Sequence, residues 1–205
     1  MAQGRVLIVD DDAAIRDSVR ALLESAGLSV EDFASAAEFL SSYTHLAGDC
    51  LVADIRMPDM DGLELQEELV RRAIDLPVII VTGHGDVPRA VRAMKAGAVD
   101  FIEKPFDDEQ FLASVHRAGA LAHEARERLG LAREAIERIA NLTARERQVL
   151  AHLVAGRANK VIAYELEISP RTVEIHRARL MDKMRARSLA DLVRLALAAG
   201  IATPD

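Results

Sequence analysis

The chain has a single cysteine, Cys50, set inside an apolar run. One thiol excludes an intramolecular disulfide and any CxxC redox or metal motif, and a buried hydrophobe is its expected role. No apolar stretch approaches the roughly 20 residues that a membrane-spanning helix needs. The first apolar run, Val6–Val9, ends in three aspartates rather than a cleavage site, so no leader is expected. The six histidines are scattered without ligand spacing. No Pro-, Gly- or Ser-rich segment marks a flexible linker. These absences point to a soluble, cytoplasmic protein with no membrane partner.

What is present is half apolar over 205 residues, enough for two small domains, each with its own core. The net charge of -7 conceals an asymmetry. Residues 1–124 hold 23 acidic and 11 basic side chains, whereas residues 125–205 hold 10 and 15. Halves of opposite sign suggest two tasks, with the basic half the candidate for nucleic acid. The excess of positive charge is too modest to establish that alone.

The first 120 residues alternate short β-rich runs, starting near Val6, Ser29, Cys50, Val78 and Val99, with amphipathic helical stretches. Such alternation predicts a parallel sheet covered on both faces. Five strands in this length are flavodoxin-like, with order 2-1-3-4-5 and a switch point between strands 1 and 3. Asp10 and Asp11 then end the first strand, Asp54 the third and Thr82 the fourth, and Lys104 follows the fifth. Three acids, a hydroxyl and an ammonium would surround one crevice. Carboxylates about 4 Å apart repel by on the order of 4 kcal/mol per pair at an effective dielectric of 20. A proton or a hard cation must relieve that, and oxygen-only ligands favour Mg2+. One carboxylate can then attack phosphorus to give an aspartyl phosphate, with Thr82 and Lys104 meeting its oxygens.

Residues 109–140 read as one long helix whose apolar positions step by three and four. It serves either as a linker packed on its own domain or as a signalling helix that pairs with a second subunit. From Leu142 the strands give way to short, well-punctuated helices. Thr143 with Glu146 forms a capping box, Gly156 a stop, and Asn159 a cap for the next helix. Ser169-Pro170 opens a third helix, while Ser188 and Gly200 bound a fourth. Four helices in about 60 residues, the middle pair joined by a tight turn, suit a helix-turn-helix module. The expected division is therefore 1–120, a helical linker over 121–141, and 142–205.

The motifs carry a specific resemblance. They are Val9-Asp10-Asp11-Asp12, the run from Asp54 through Met57-Pro58 to Asp61-Gly62, Thr82-Gly83-His84-Gly85-Asp86-Val87-Pro88, and the run from Met94 to Lys104-Pro105-Phe106. Together they resemble a bacterial response-regulator receiver, and the whole chain is similar to the FixJ branch of the FixJ/NarL regulators. The resemblance implies that Asp54 is the phosphoacceptor. Asp10, Asp11, Asp54 and the Arg56 carbonyl would surround Mg2+ or Mn2+, and Lys104-Pro105 would be a cis bond. Thr82 and Phe101 would be the pair that moves on phosphorylation. The surface reshaped by that movement, which includes Val91, Arg92, Lys95 and Asp100, suits a two-fold contact.

The segment from Ser169 to Met184 resembles the recognition helix of LuxR-type domains. At 100° per residue, Val173, Leu180 and Met184 form a core stripe flanked by His176. The opposite face presents Arg171, Glu174, Ile175, Ala178 and Arg179, with Thr172 beside it. A major groove fits that mixture: Ile175 against a thymine methyl, Arg171 on a guanine edge, Glu174 accepting from cytosine or enforcing register. Lys160, Arg177, Lys183 and Arg185 are cast as phosphate contacts. The last helix, with Leu189, Leu192, Val193 and Leu195, either completes the core or pairs two modules on DNA.

The expectation is a non-enzymatic, phosphorylation-activated transcriptional regulator. Its implied partners are a sensor histidine kinase, promoter DNA, RNA polymerase and a second copy of itself. Two rivals stand beside it. One is a constitutive DNA-binding dimer whose receiver is never phosphorylated. The other is a covalent-aspartate phosphohydrolase, which would need a general acid near the nucleophile; two residues beyond Asp54 stands Arg56.

Overall fold

The computed structural model describes residues 4–43, 48–83 and 86–201, so His84 and Gly85 of the third motif lie outside the described residues. The chain divides into two compact units, Met1–Glu124 and Ala125–Asp205.

In the first unit five strands alternate with helices: β1 Arg5–Val9, α1 Ala13–Ser25, β2 Ser29–Phe33, α2 Ala36–Ser42, β3 Cys50–Asp54, α3 Gly62–Arg71, β4 Val78–Thr82, α4 Val87–Lys95 and β5 Asp100–Glu103. The strands pair in parallel in the order β2-β1-β3-β4-β5, as the alternating pattern predicts. Every residue of β3 and β4 is buried, which is why they read as continuous apolar runs rather than alternating ones. Leu7, Val9, Leu51, Ala53 and Ile80 pack on one face with Phe39, Leu63 and Leu69. Val6, Ile8, Val52, Ile79 and Val81 pack on the other with Val19, Leu23, Phe111 and Val115. Cys50 is fully buried in the second of these layers.

The strand register positions the crevice. Val9 stands opposite Ala53, and Asp54 opposite Val81, so the carboxyl ends of β1, β3 and β4 finish level. Gly62, the first residue of α3, packs so tightly beneath β3 that an added Cβ would strike the Asp54 carbonyl oxygen. Gly62→Ala should therefore displace main chain at the end of β3 and destabilise this unit by about 1–3 kcal/mol. Urea unfolding followed by circular dichroism measures the loss.

The helix α5 Asp108–Ala140 begins in the first unit, and the division between units falls within it. The second unit adds α6 Ala144–Val154, α7 Asn159–Glu165, α8 Pro170–Met184 and α9 Leu189–Ala198 around a core containing Val149, Leu150, Ile162, Val173, Leu180, Met184 and Leu192. The capping box of Thr143 with Glu146 is present, and Ser169 and Ser188 cap α8 and α9. Asn159 does not cap α7. Ala158 occupies that position and has no side-chain acceptor, while the Asn159 amide oxygen accepts from Arg177 Nη1 at 2.8 Å. Among the described residues no helix is long and apolar enough to cross a membrane.

Candidate functional site: an acidic crevice and a basic helix

At the carboxyl edge of the sheet, Lys104 joins two carboxylates. Its Nζ donates to Asp10 Oδ2 at 2.7 Å and to Asp54 Oδ1 at 2.8 Å. The remaining oxygens are held by main chain, Asp10 Oδ1 by the Asp12 N–H at 2.9 Å and Asp54 Oδ2 by the Arg56 N–H at 2.5 Å. Asp10 and Asp54 are only 4 % and 8 % exposed. Burial pushes the Asp10 carboxyl above its ordinary value, against the opposing pull of Lys104 and the Asp12 N–H. Burial works to depress Lys104, yet its bonds to Asp10 and Asp54 outweigh that and hold the ammonium above its usual range.

Thr82 is fully buried at the end of β4, and its main-chain oxygen accepts from Lys104 N at 2.7 Å, which fixes where the ammonium stem departs. Phe101 is half-buried against the core layer that contains Ile80 and Ala93. The bond between Lys104 and Pro105 is cis. Asp10, Asp54, Thr82 and Lys104 are thus gathered in one crevice, whereas Asp11 and the Arg56 side chain are exposed at its rim. Among the described residues no three acidic, histidine or cysteine side chains stand grouped as a ready metal cage. The donor chemistry nonetheless fits a hard dication: two buried carboxylates, oxygen donors alone, and an interior that penalises their uncompensated charge.

Motif reasoning missed Arg16, which donates from Nη1 to the Asp10 carbonyl at 2.8 Å and from Nε to Asp32 at 2.9 Å, steadying the loop that carries Asp10. Its position one turn inside α1, facing the acid of β2, is the only sequence signal for that role.

On α4, Val91 is 45 % exposed beside Val87 and Met94. Lys95 is exposed, while Arg92 pairs with Glu67 of α3 at 2.8 Å. Asp100 is engaged by α5, accepting from Ser114 Oγ at 2.5 Å and from Arg117 Nη2 at 2.7 Å. Two of the four expected contact residues therefore already have partners in their own chain.

In the second unit, Arg171, Glu174, Ala178 and Arg179 are exposed along α8, with Ile175 46 % exposed among them. Thr172 is half-buried, its hydroxyl 2.8 Å from that of Ser169. Val173, Leu180 and Met184 are fully buried on the opposite side. Lys160 and Arg185 are exposed. Arg177 is tied to Asn159 as described, and Lys183 Nζ donates to buried Glu146 at 2.7 Å.

The Lys183 ammonium, then the Thr143 N–H, hold the Glu146 carboxyl at about 2 against an ordinary value of 4.5. A folded-state value below the unfolded one gives stability that is present above 4.5 and lost as pH falls towards 2. The melting advantage of the wild type over Glu146→Gln should accordingly shrink across that window, as thermal circular dichroism would record.

A comparison of these features with known proteins decides the family. The model for response regulator receiver domains matches residues 6–116, and that for bacterial regulatory proteins of the luxR family matches residues 140–196. The chain is a FixJ-like response regulator. The transcriptional regulatory protein FixJ of Azorhizobium caulinodans is 52% identical over 200 residues, covering 98% of this chain and 95% of that protein. FixJ of Bradyrhizobium diazoefficiens is 48% identical over 199 residues, covering 97% of each. Among solved structures, the response regulator StyR matches with a TM-score of 0.79 at 43% identity, covering 96% of this chain and 99% of StyR. Full-length FixJ from B. japonicum matches with a TM-score of 0.60 at 48% identity, covering 98% and 100%. The regulator thus joins a receiver domain to a LuxR-type DNA-binding domain, and its relatives regulate transcription.

Proposed function

We propose that this regulator accepts a phosphoryl group on Asp54 from a partner histidine kinase, dimerises through its receiver and then binds promoter DNA with a pair of α8 helices, where it meets RNA polymerase. The observation that carries the reading is the pairing of buried Asp54 and Asp10 through Lys104 at the carboxyl edge of the sheet. Open parallel sheets bind their ligands at that edge.

In the proposed reaction a carboxylate oxygen of Asp54 attacks phosphorus. The bond from phosphorus to the donor's imidazole nitrogen, or to the acyl oxygen of acetyl phosphate, breaks, and its electron pair leaves with the donor. Lys104 would ion-pair with the transferred group, and the Thr82 hydroxyl would donate to it. Asp10, Asp11, Asp54 and the Arg56 carbonyl would hold Mg2+ or Mn2+, which supplies charge neutralisation for the incoming phosphate oxygens. The phosphoryl group, a dianion with three acceptor oxygens where the Asp54 carboxylate carried a single charge, draws Thr82 inward and leaves room for the Phe101 ring to turn in. The surface around Val91, Arg92, Lys95 and Asp100 changes with it. Asp100 then trades Ser114 and Arg117 for a partner across the two-fold.

On DNA, Arg171, Thr172, Glu174, Ile175, Ala178 and Arg179 face the major groove. Lys160 and Arg185 meet phosphates. Arg177 and Lys183 do so only by sharing or giving up Asn159 and Glu146. Fluorescence anisotropy with labelled duplex, with and without acetyl phosphate and magnesium, tests the scheme. Phosphodonor should raise affinity, and the logarithm of affinity should fall linearly with the logarithm of salt. A flat salt dependence would remove the basic side chains from the interface.

A further inference from the structure

The carboxyl end of α8 is held from outside the helix-turn-helix. The helix finishes at Met184, and Arg185 turns into the left-handed region at φ 51°. The last carbonyls of such a helix have no intrahelical donors. Arg138, near the end of α5, donates from Nη1 to the Met184 carbonyl at 2.8 Å, and its other arm pairs with Glu134 one turn earlier. Its side chain is 18 % exposed, with its charge at the negative end of the α8 dipole. The surrounding turns of α5 are equally anchored, since Ala135 is fully buried and Ile139 packs on the core of this unit. Lys183, beside Met184, reaches the Asn141 carbonyl at 3.4 Å and Glu146 at 2.7 Å. The last turn of α8 is therefore bound to the end of α5 and the start of α6.

Resting on the DNA-binding reading above, we infer that Arg138 is a positioning residue for sequence recognition. It fixes the pitch of α8 through the Met184 carbonyl, so that Arg171, Ile175 and Arg179 reach base edges together, and it does not touch the duplex itself. Leverage makes the contact matter. The helix has 15 residues. At 1.5 Å per residue, a tilt of about 5° moves its far end by roughly 2 Å. Hydrogen bonds to bases do not survive such a displacement.

The test uses the full chain treated with acetyl phosphate and magnesium. The probe is a duplex selected from a random-sequence library by the wild-type protein. Affinities of wild type, Arg138→Ala and Arg138→Lys are compared over a salt series well below the melting temperature. Arg138→Ala should lose about tenfold on the selected duplex, the share of one charge-assisted hydrogen bond. Its salt slope and its affinity for unselected duplex should match the wild type. Arg138→Lys should recover part of the loss, because an ammonium can donate to the same carbonyl. Without DNA, amide exchange over residues 181–187 should quicken in the alanine variant. If that variant does not fold, Glu134→Gln, which frees only the second arm of the guanidinium, carries the same comparison.

A salt slope lower by about one would make Arg138 a phosphate contact and overturn the inference. Lower melting with unchanged affinity would reduce it to a stabilising role and overturn it equally. A wild-type protein with no preference for any duplex would defeat the DNA-binding reading itself, whereas normal wild-type binding equalled by Arg138→Ala would defeat this inference alone.

Discussion

Asp54→Asn should abolish the response to phosphodonor: no covalent phosphate, no donor-induced dimer and no gain in duplex affinity. The substitution is nearly isosteric, and its amide oxygen can still accept from the Arg56 N–H that holds Asp54 Oδ2 at 2.5 Å. What it removes is the nucleophilic oxygen and one of the two negative charges facing Lys104. An amide cannot form the acyl phosphate, so the phosphoryl oxygens and the added negative charge that would move Thr82 never arrive. Sedimentation velocity with and without acetyl phosphate and magnesium should show a shift for the wild type and none for the variant. A variant that dimerises and binds DNA as the wild type does would favour a constitutive dimer whose receiver plays no chemical part.

Lys104→Met should produce the largest loss of stability among conservative changes in the crevice. Lys104 is 18 % exposed and is the ammonium bonded to both Asp10 and Asp54, which are themselves buried. Removing one partner from a buried ionic group leaves charge uncompensated, at a cost of about 3 kcal/mol or more. Magnesium should restore much of this loss. A dication bound by the native state stabilises it by RT ln(1 + c/Kd), with c the free ion concentration, and in the variant it has no ammonium to compete with. The predicted readout is a larger magnesium-dependent rise in chemical-denaturation midpoint for Lys104→Met than for the wild type. An equal rise in both proteins would mean that Lys104 and the ion do not share these carboxylates.

The strands and the crevice were legible because both are written locally. Residues of β3 and β4 are buried on both faces, so their sequences are apolar runs, and each ends on a polar side chain, Asp54 or Thr82, at the carboxyl edge of the sheet. Cap residues such as Thr143, Ser169 and Ser188 act within one helical turn, and they too could be read from spacing. What escaped were side chains whose partners lie far along the chain. Nothing in the period of α8 says that Lys183 meets Glu146, 37 residues away, or that Arg138 meets Met184, 46 residues away. Asn159 has the right chemistry for a cap, yet Arg177 takes its oxygen. Asp100 looks like a surface acid in the sequence, but Ser114 and Arg117 engage it from α5. Asp11, an acid next to Asp10 in sequence, is turned to solvent while its neighbour is buried. Both lie beyond Val9, where β1 ends, and it is Asp10 that Lys104 and the Asp12 N–H engage.

Intact-mass spectrometry of the wild-type protein after exposure to excess acetyl phosphate and magnesium tests the central claim most directly. The mass of a single added phosphate is expected, located by peptide mapping to the segment carrying Asp54 and released by hydroxylamine as an acyl phosphate is. An unchanged mass under those conditions, or a phosphate located elsewhere, would contradict it.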